Sequence, residues 1–192
     1  MKKRLFIMVE GEDDVRFFGR LIKPLLLPSY HSVEIIPYAC IKREKVNKFL
    51  KSVRLMKNDY IFVADIDQER SVRDKKQILY YRFSEVDDRS IVIVIREIES
   101  WYLAGVPVET AQGLGIPDLA STDGITKEDF NTRIPPQFDS RIDFMFELMK
   151  SFSIETAVRR NASFRFFVDR YLAGRESFEL LPLPAGAPGR RE

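Results

Sequence analysis

Carboxylates gather at three places in this 192-residue chain: Glu10 with Glu12, Asp13 and Asp14, then Asp65-Ile66-Asp67, then Glu97-Ile98-Glu99. Crowded carboxylates repel one another unless a cation neutralises them or some stay protonated. Oxygen ligands without His or Cys favour Mg²⁺ or Mn²⁺, which keep open positions for water and phosphate. One such ion activates water and stabilises charge on a phosphate in flight; two, about 3.5–4 Å apart, hold both the attacking and the leaving oxygen. Asp65 and Asp67 can both face an ion if the chain turns between them. The plainer alternative stays open for Glu12 and Asp13, since acids at a helix start cap it and favour its dipole. Asp-x-Asp after a strand can also be purely structural.

Composition removes several other chemistries. Cys40 is the one cysteine and His31 the one histidine. Disulfide frameworks, Cys-based zinc sites and His-His metalloprotease motifs are therefore excluded. No Gly-x-Ser-x-Gly elbow accompanies His31, which argues against a Ser-His-Asp hydrolase. The longest apolar run, Ile91 to Ile95, is far short of the roughly 20 residues of a membrane span. The basic Met1-Lys2-Lys3-Arg4 precedes an apolar stretch that breaks at Glu10, unlike a signal peptide. A cytoplasmic protein with no membrane partner is the expectation.

The elements that must position the acids follow from periodicity. Residues 4–9 are an apolar run ending at Glu10-Gly11, the pattern of a buried strand and turn. Val15, Phe18, Ile22, Leu25 and Leu26 then repeat at helical spacing, capped by Glu12 or Asp13 and closed by Pro28. Residues 33–38 form a weaker strand with Pro37 at its end. An amphipathic helix follows, with Val46, Phe49, Leu50, Val53 and Met56 on one face. Strands at 60–64 and 90–95 flank a polar helix over 71–83. Strand and helix alternate, and three strands are apolar throughout, so the chain is predicted to be α/β with a parallel four-stranded sheet flanked by helices. Ligands of such sheets bind beyond the carboxyl ends of the strands, which is where all three acid clusters fall.

Beyond Leu103 the pattern changes. Residues 105–140 are rich in Gly and Pro and read as loop with short helical pieces. From Arg141 the chain is helical again, its last helix capped by Asn161 or Ser163 and packed through Phe164, Phe167 and Tyr171. The organisation predicted is a core over 1–104, a loop and helical extension over 105–181, and a Pro/Gly-rich disordered tail over 182–192.

Together these residues resemble a known family. Val9-Glu10-Gly11-Glu12-Asp13-Asp14, Asp65-x-Asp67 and the βαβ order are similar to a Toprim domain of the OLD (overcoming lysogenization defect) type. Arg96-Glu97-Ile98-Glu99-Ser100-Trp101 resembles the Glu-x-Glu-x-Trp stretch of small OLD-like prokaryotic proteins, and Asn161-Ala-Ser163-Phe164 their C-terminal Ser-Phe helix. The resemblance covers residues 4–104 and, more weakly, 155–172. It implies a Toprim-like, Rossmann-like fold and Mg²⁺-dependent (or Mn²⁺-dependent) cleavage of nucleic-acid phosphodiesters, DNA before RNA, in a prokaryotic defence or repair setting. Carried over, Glu10 is the general acid/base or a metal ligand. Asp65 and Asp67 hold Mg²⁺, and Asp14, Glu97 and Glu99 support a second ion. The chain departs from larger members in having no Gly-x-x-x-x-Gly-Lys-Ser/Thr loop, so an ATPase partner would be a separate chain.

Charge elsewhere is patchy. Residues 42–57 carry seven Lys/Arg against one acid, Glu44, although net charge is only +2. Lys42, Lys45, Lys48 and Lys51 are candidates to track a phosphate backbone, or are a solvated helix face. Arg159, Arg160, Arg165 and Arg170 alternate with aromatics, which suits nucleic acid, but core packing of those aromatics is the first expectation. Trp101 is expected to anchor its helix to the sheet. His31 is assigned no role, and Lys127, in the loop region, is a candidate for the cation some phosphoryl-transfer sites use, though nothing in the sequence singles it out. Two rival functions remain: a Mg²⁺-dependent small-molecule phosphatase using Asp65 covalently, disfavoured by Glu69 where such motifs carry Thr, and a non-catalytic subunit binding nucleic acid or a partner.

Overall fold

The computed structural model describes residues 2–172, so the predicted disordered tail and residues 173–181 of the extension lie outside the described residues. Four strands, β1 (Arg4–Val9), β2 (Ser32–Pro37), β3 (Asp59–Asp65) and β4 (Ile91–Val94), form one sheet in the order β2-β1-β3-β4. Every pairing is parallel, with Val9 beside Pro37, Met8 beside Phe62 and Asp65 beside Val94. The architecture is α/β and Rossmann-like, as predicted. β2 and β3 lie on opposite sides of β1, so the winding direction reverses between β1 and β3. That reversal opens a crevice at their carboxyl ends.

Alternate side chains of each strand point to opposite faces, and both faces are covered. Leu5, Ile7, Val9, Ile61, Val63, Val92 and Val94 join the larger core cluster. Met8, Phe62, Ala64, Ile91 and Ile93 pack with Val46, Leu50 and Leu79, which come from α3 (Arg43–Leu55) and α4 (Val72–Arg82). Two-sided burial explains why these strands read as unbroken apolar runs. Met56, expected on the buried face of α3, is instead exposed, because the helix ends at Leu55 and Met56 is its C-cap.

The first crossover is helical but not uniform. α1 (Glu12–Phe17) passes through a π-helical turn (Phe18–Ile22) into α2 (Lys23–Leu26). Pro24 follows that turn directly. It has no N–H to give the preceding turn, and its ring would crowd a carbonyl there; the wider π turn, closed by Lys23 N–H to the Phe18 carbonyl, relieves that conflict. Gly11, not Glu12 or Asp13, is the N-cap, and the Asp14 side chain reaches back to its N–H.

Among the described residues, six further helices follow β4: α5 (Glu99–Ala104), α6 (Val108–Leu114), α7 (Lys127–Thr132), α8 (Arg141–Lys150), α9 (Ile154–Arg160) and α10 (Ala162–Tyr171). The hydrophobic core runs across residue 104 without interruption, joining β-strand residues to Phe144, Leu148, Phe152, Phe164 and Phe167. Trp101 is fully buried among Phe17, Phe18, Phe164 and Phe167, with ring centroids 5.0–5.9 Å away, separations favourable for aromatic pairs.

A buried polar knot locks this layer to the sheet. The Ser163 hydroxyl accepts from the Ile95 N–H at 3.2 Å and from Trp101 Nε1 at 2.9 Å, and donates to Asn161 Oδ1 at 2.8 Å. Asn161 caps α10 by accepting from the Phe164 N–H, and donates to Ser100 and Thr122. Satisfied buried polar groups of this kind specify one packing arrangement. The arginines of this region also serve the fold: Arg160 reaches the Val106 carbonyl and Asp118, while Arg170 reaches the Arg89 carbonyl.

Candidate functional site

The crevice between β1 and β3 holds a pocket of about 310 Å³ lined by Glu10, Gly11, Glu12, Asp13, Asp14, Ala39, Asp65, Glu97, Ile98, Glu99 and Lys127. Parallel strands deliver Glu10 from the end of β1, Asp65 from the end of β3, and Glu97 and Glu99 from the turn after β4. Five of the six acids expected at a metal thus share one cavity. Asp67 does not line it.

Glu10 is held from two sides. Its Oε1 accepts from the Tyr38 hydroxyl at 3.1 Å and from the Asp65 backbone N–H at 3.2 Å. Burial raises its pKa above the usual 4.5, opposed chiefly by the charge of Lys75. Asp14 is 4% exposed, and burial, with repulsion from Glu10 and Glu99, pushes its pKa from 3.8 up to about 7. Asp65 is pushed well above 3.8 by burial first and then by Asp14, Glu10 and Glu99. Its Oδ1 is shielded from solvent and has no hydrogen-bond partner among the described residues. A buried carboxylate oxygen left unmatched costs on the order of 1–3 kcal/mol or more.

The opposite wall is different. Arg141 of α8 donates to Asp13 Oδ2 at 2.6 Å and to Glu99 Oε1, while Arg16 pairs with the other Asp13 oxygen. Its guanidinium lies over the Phe130 ring at 5.7 Å. Burial still raises the Glu99 pKa, with Arg141 opposing. Glu97 accepts from the Lys127 backbone N–H at 2.5 Å, which ties the turn after β4 to the start of α7.

Asp67 departs from expectation for a backbone reason. Its φ is +53°, the left-handed region that Asp tolerates better than most residues. The chain there swings outward, leaving the Asp67 side chain 58% exposed and paired with Lys75 of α4. Arg96, two residues beyond the end of β4, is also left-handed at φ +63°. It is a poorer residue for that conformation, and strain of this kind gathers at functional sites.

Lys42, the N-cap of α3, and Lys45 and Lys48 within it are exposed, and the helix begins four residues beyond Ala39 of the pocket wall; none of the three lines the cavity. Sequence reasoning missed Tyr38, Lys75 and Arg141. Tyr38 sits at the end of β2 on the same sheet edge as Glu10, and that position was the available signal. Arg141 comes from 42 residues beyond Glu99, and nothing local marks it.

The donor set, all oxygen and partly orphaned, suits a hard divalent cation. Among the described residues, no three acidic, His or Cys side chains are drawn closely enough together to enclose an ion as they stand. No helix among the described residues is long and apolar enough to cross a membrane. No protein-family model, no curated protein and no solved structure matches this chain.

Proposed function

We propose that this protein is a Mg²⁺- or Mn²⁺-dependent phosphodiesterase acting on nucleic acid, with DNA as its first substrate class, and that Glu10, Asp14 and Asp65 would hold the ion. The observation that carries this is the Asp65 carboxylate, placed with an unmatched, solvent-shielded oxygen beside two further carboxylates at the reversal point of a parallel sheet. Such crowding disfavours the ionised forms until a cation enters. When bound, a divalent ion would polarise the phosphoryl group and lower the pKa of water.

The remaining work falls to side chains on the pocket wall. Glu10, kept above its usual pKa and oriented by Tyr38 and the Asp65 N–H, takes a proton from the attacking water or returns one to the leaving oxygen. Lys127, which lines the same pocket, offers a cation to a bound phosphate. Lys42, Lys45 and Lys48 would extend the contact along a backbone, each neutralised phosphate adding salt-dependent affinity. The cytoplasm is the compartment this function suits, and an ATPase partner would be a second chain.

The test is nicking of supercoiled plasmid by the purified chain with Mg²⁺, Mn²⁺ or EDTA, alongside Glu10→Gln and Asp65→Asn. Metal-dependent cutting is expected, reduced about 1,000-fold in both variants. A folded wild type that cuts with neither metal overturns the assignment. In that case plasmid binding that weakens steeply with salt would identify a non-catalytic binding subunit instead.

A further inference from the structure

The pocket acids divide into two groups by what already neutralises them. Among the described residues, Glu10, Asp14 and Asp65 form no direct ion pair with Lys or Arg, although the charge of Lys75 acts on Glu10; their hydrogen bonds come from Tyr38 and from backbone N–H groups, and Asp65 Oδ1 has none there. Glu99 and Asp13 are bridged by Arg141, and Asp13 is gripped a second time by Arg16. Arg141 is itself held, three-quarters buried against the Phe130 ring. Glu97 is engaged by the N–H of Lys127.

A guanidinium keeps its charge at every accessible pH and presents its donors in a rigid fork matched to carboxylates. To bind a second divalent ion through Glu99, the protein would have to displace Arg141 from two carboxylates and leave it in a partly buried wall. Removing one partner from such an arrangement leaves an uncompensated charge, which is strongly unfavourable. We infer that Arg141, delivered by the C-terminal extension, is a resident cation standing where a second metal ion would otherwise bind, so that the pocket takes one divalent ion, at Glu10, Asp14 and Asp65. This rests on the metal-dependent reading above and specifies its stoichiometry. It also assigns the extension a part in the site: Arg141 is a positioning residue that fixes Glu99 and Asp13 and sets the charge of the wall a phosphate would meet.

The test is Mn²⁺ binding to the whole chain at neutral pH, followed by calorimetry and by the electron-paramagnetic signal of free Mn²⁺, with no substrate. Wild type should bind one ion per chain. Glu99→Gln should bind one ion with affinity within about threefold of wild type, because Glu99 serves Arg141. Asp65→Asn should lose at least about 100-fold, as expected when a charged ligand becomes an amide. Arg141→Leu should gain a second, weaker ion. Should Arg141→Leu fail to fold, as judged by circular dichroism, the Glu99→Gln result decides. Two ions in wild type, a tenfold weakening in Glu99→Gln, or a folded Arg141→Leu that still takes one ion would each overturn the inference while leaving the phosphodiesterase intact. No ion in wild type would overturn the metal-dependent reading itself.

Discussion

Asp65 and Asp67 are the same residue two positions apart, yet they occupy opposite environments. Asp65 closes β3 inside the crevice, with one carboxylate oxygen shielded and unpartnered. Asp67 itself takes the left-handed conformation and lies on the rim, with its carboxylate in solvent and in contact with Lys75. Lys75 is only 6% exposed, so this pair satisfies a cation that would otherwise be costly to hide. The difference shows that a carboxylate's job is set by the direction in which the backbone leaves the strand. The same chemistry serves a cavity in one case and an ion pair in the other.

The largest expected effect tests Asp65. Asp65→Asn should reduce metal-dependent cutting about 1,000-fold, a barrier increase of roughly 4 kcal/mol, while thermal stability at pH 8 without metal rises. Stability rises because the amide carries no charge to repel Asp14 and Glu10. A variant that is both inactive and less stable would mean that Asp65 is a structural group.

Next comes pH. Asp14 has a folded pKa of about 7 against an ordinary value of 3.8. An acid whose pKa is raised on folding imposes no penalty below its unfolded value, because it is then neutral in both states. As pH climbs from about 4 to about 7 the unfolded chain ionises first, and the folded state loses up to about 4 kcal/mol. Urea midpoints of the metal-free protein should therefore fall between pH 5 and pH 8, and Asp14→Asn should flatten that slope. Equal midpoints at both pH values would show that Asp14 is already neutralised.

Smaller effects separate the inner and outer groups further. Tyr38→Phe removes one of the two donors to Glu10 and should cost about tenfold in kcat, close to the worth of a hydrogen bond to a charged group. Because that bond lowers the Glu10 pKa, the limb of the pH–rate profile governed by Glu10 should move to higher pH. An unchanged profile would remove Tyr38 from the site. Asp67→Asn is the mildest change: Asn also tolerates the left-handed conformation, and cutting should stay within about threefold, with a stability loss of about 1 kcal/mol from the weakened contact to Lys75. Loss of cutting equal to that of Asp65→Asn would return Asp67 to the metal and erase the contrast.

Most of the fold is legible in the residues. Unbroken apolar runs at 4–9, 60–64 and 91–95 require a sheet covered on both faces, and helical spacing between them requires crossovers. The parallel order then puts Glu10, Asp65, Glu97 and Glu99 on one edge of the sheet. The cap of the last helix was legible as Asn161 or Ser163, because a short polar side chain before an apolar helix has few other uses, and the structure gives the place to Asn161. The Ser163 contacts to Ile95 and Trp101 were not legible, since they join segments more than 60 residues apart.

Composition and local pattern by themselves determined the α/β class, the strand ends that carry acids, and an oxygen-only chemistry set by one cysteine and one histidine. These follow from short-range physics: burial, period and cap chemistry act over a few residues. Tertiary structure alone decided which acids are free. The φ of +53° at Asp67 turned it outward, and Arg141, from a helix whose sequence shows only an amphipathic pattern, closed over Glu99 and Asp13. Charge pairing across a fold depends on where distant segments meet, and that is fixed by packing of the whole core around Trp101 and its aromatic neighbours.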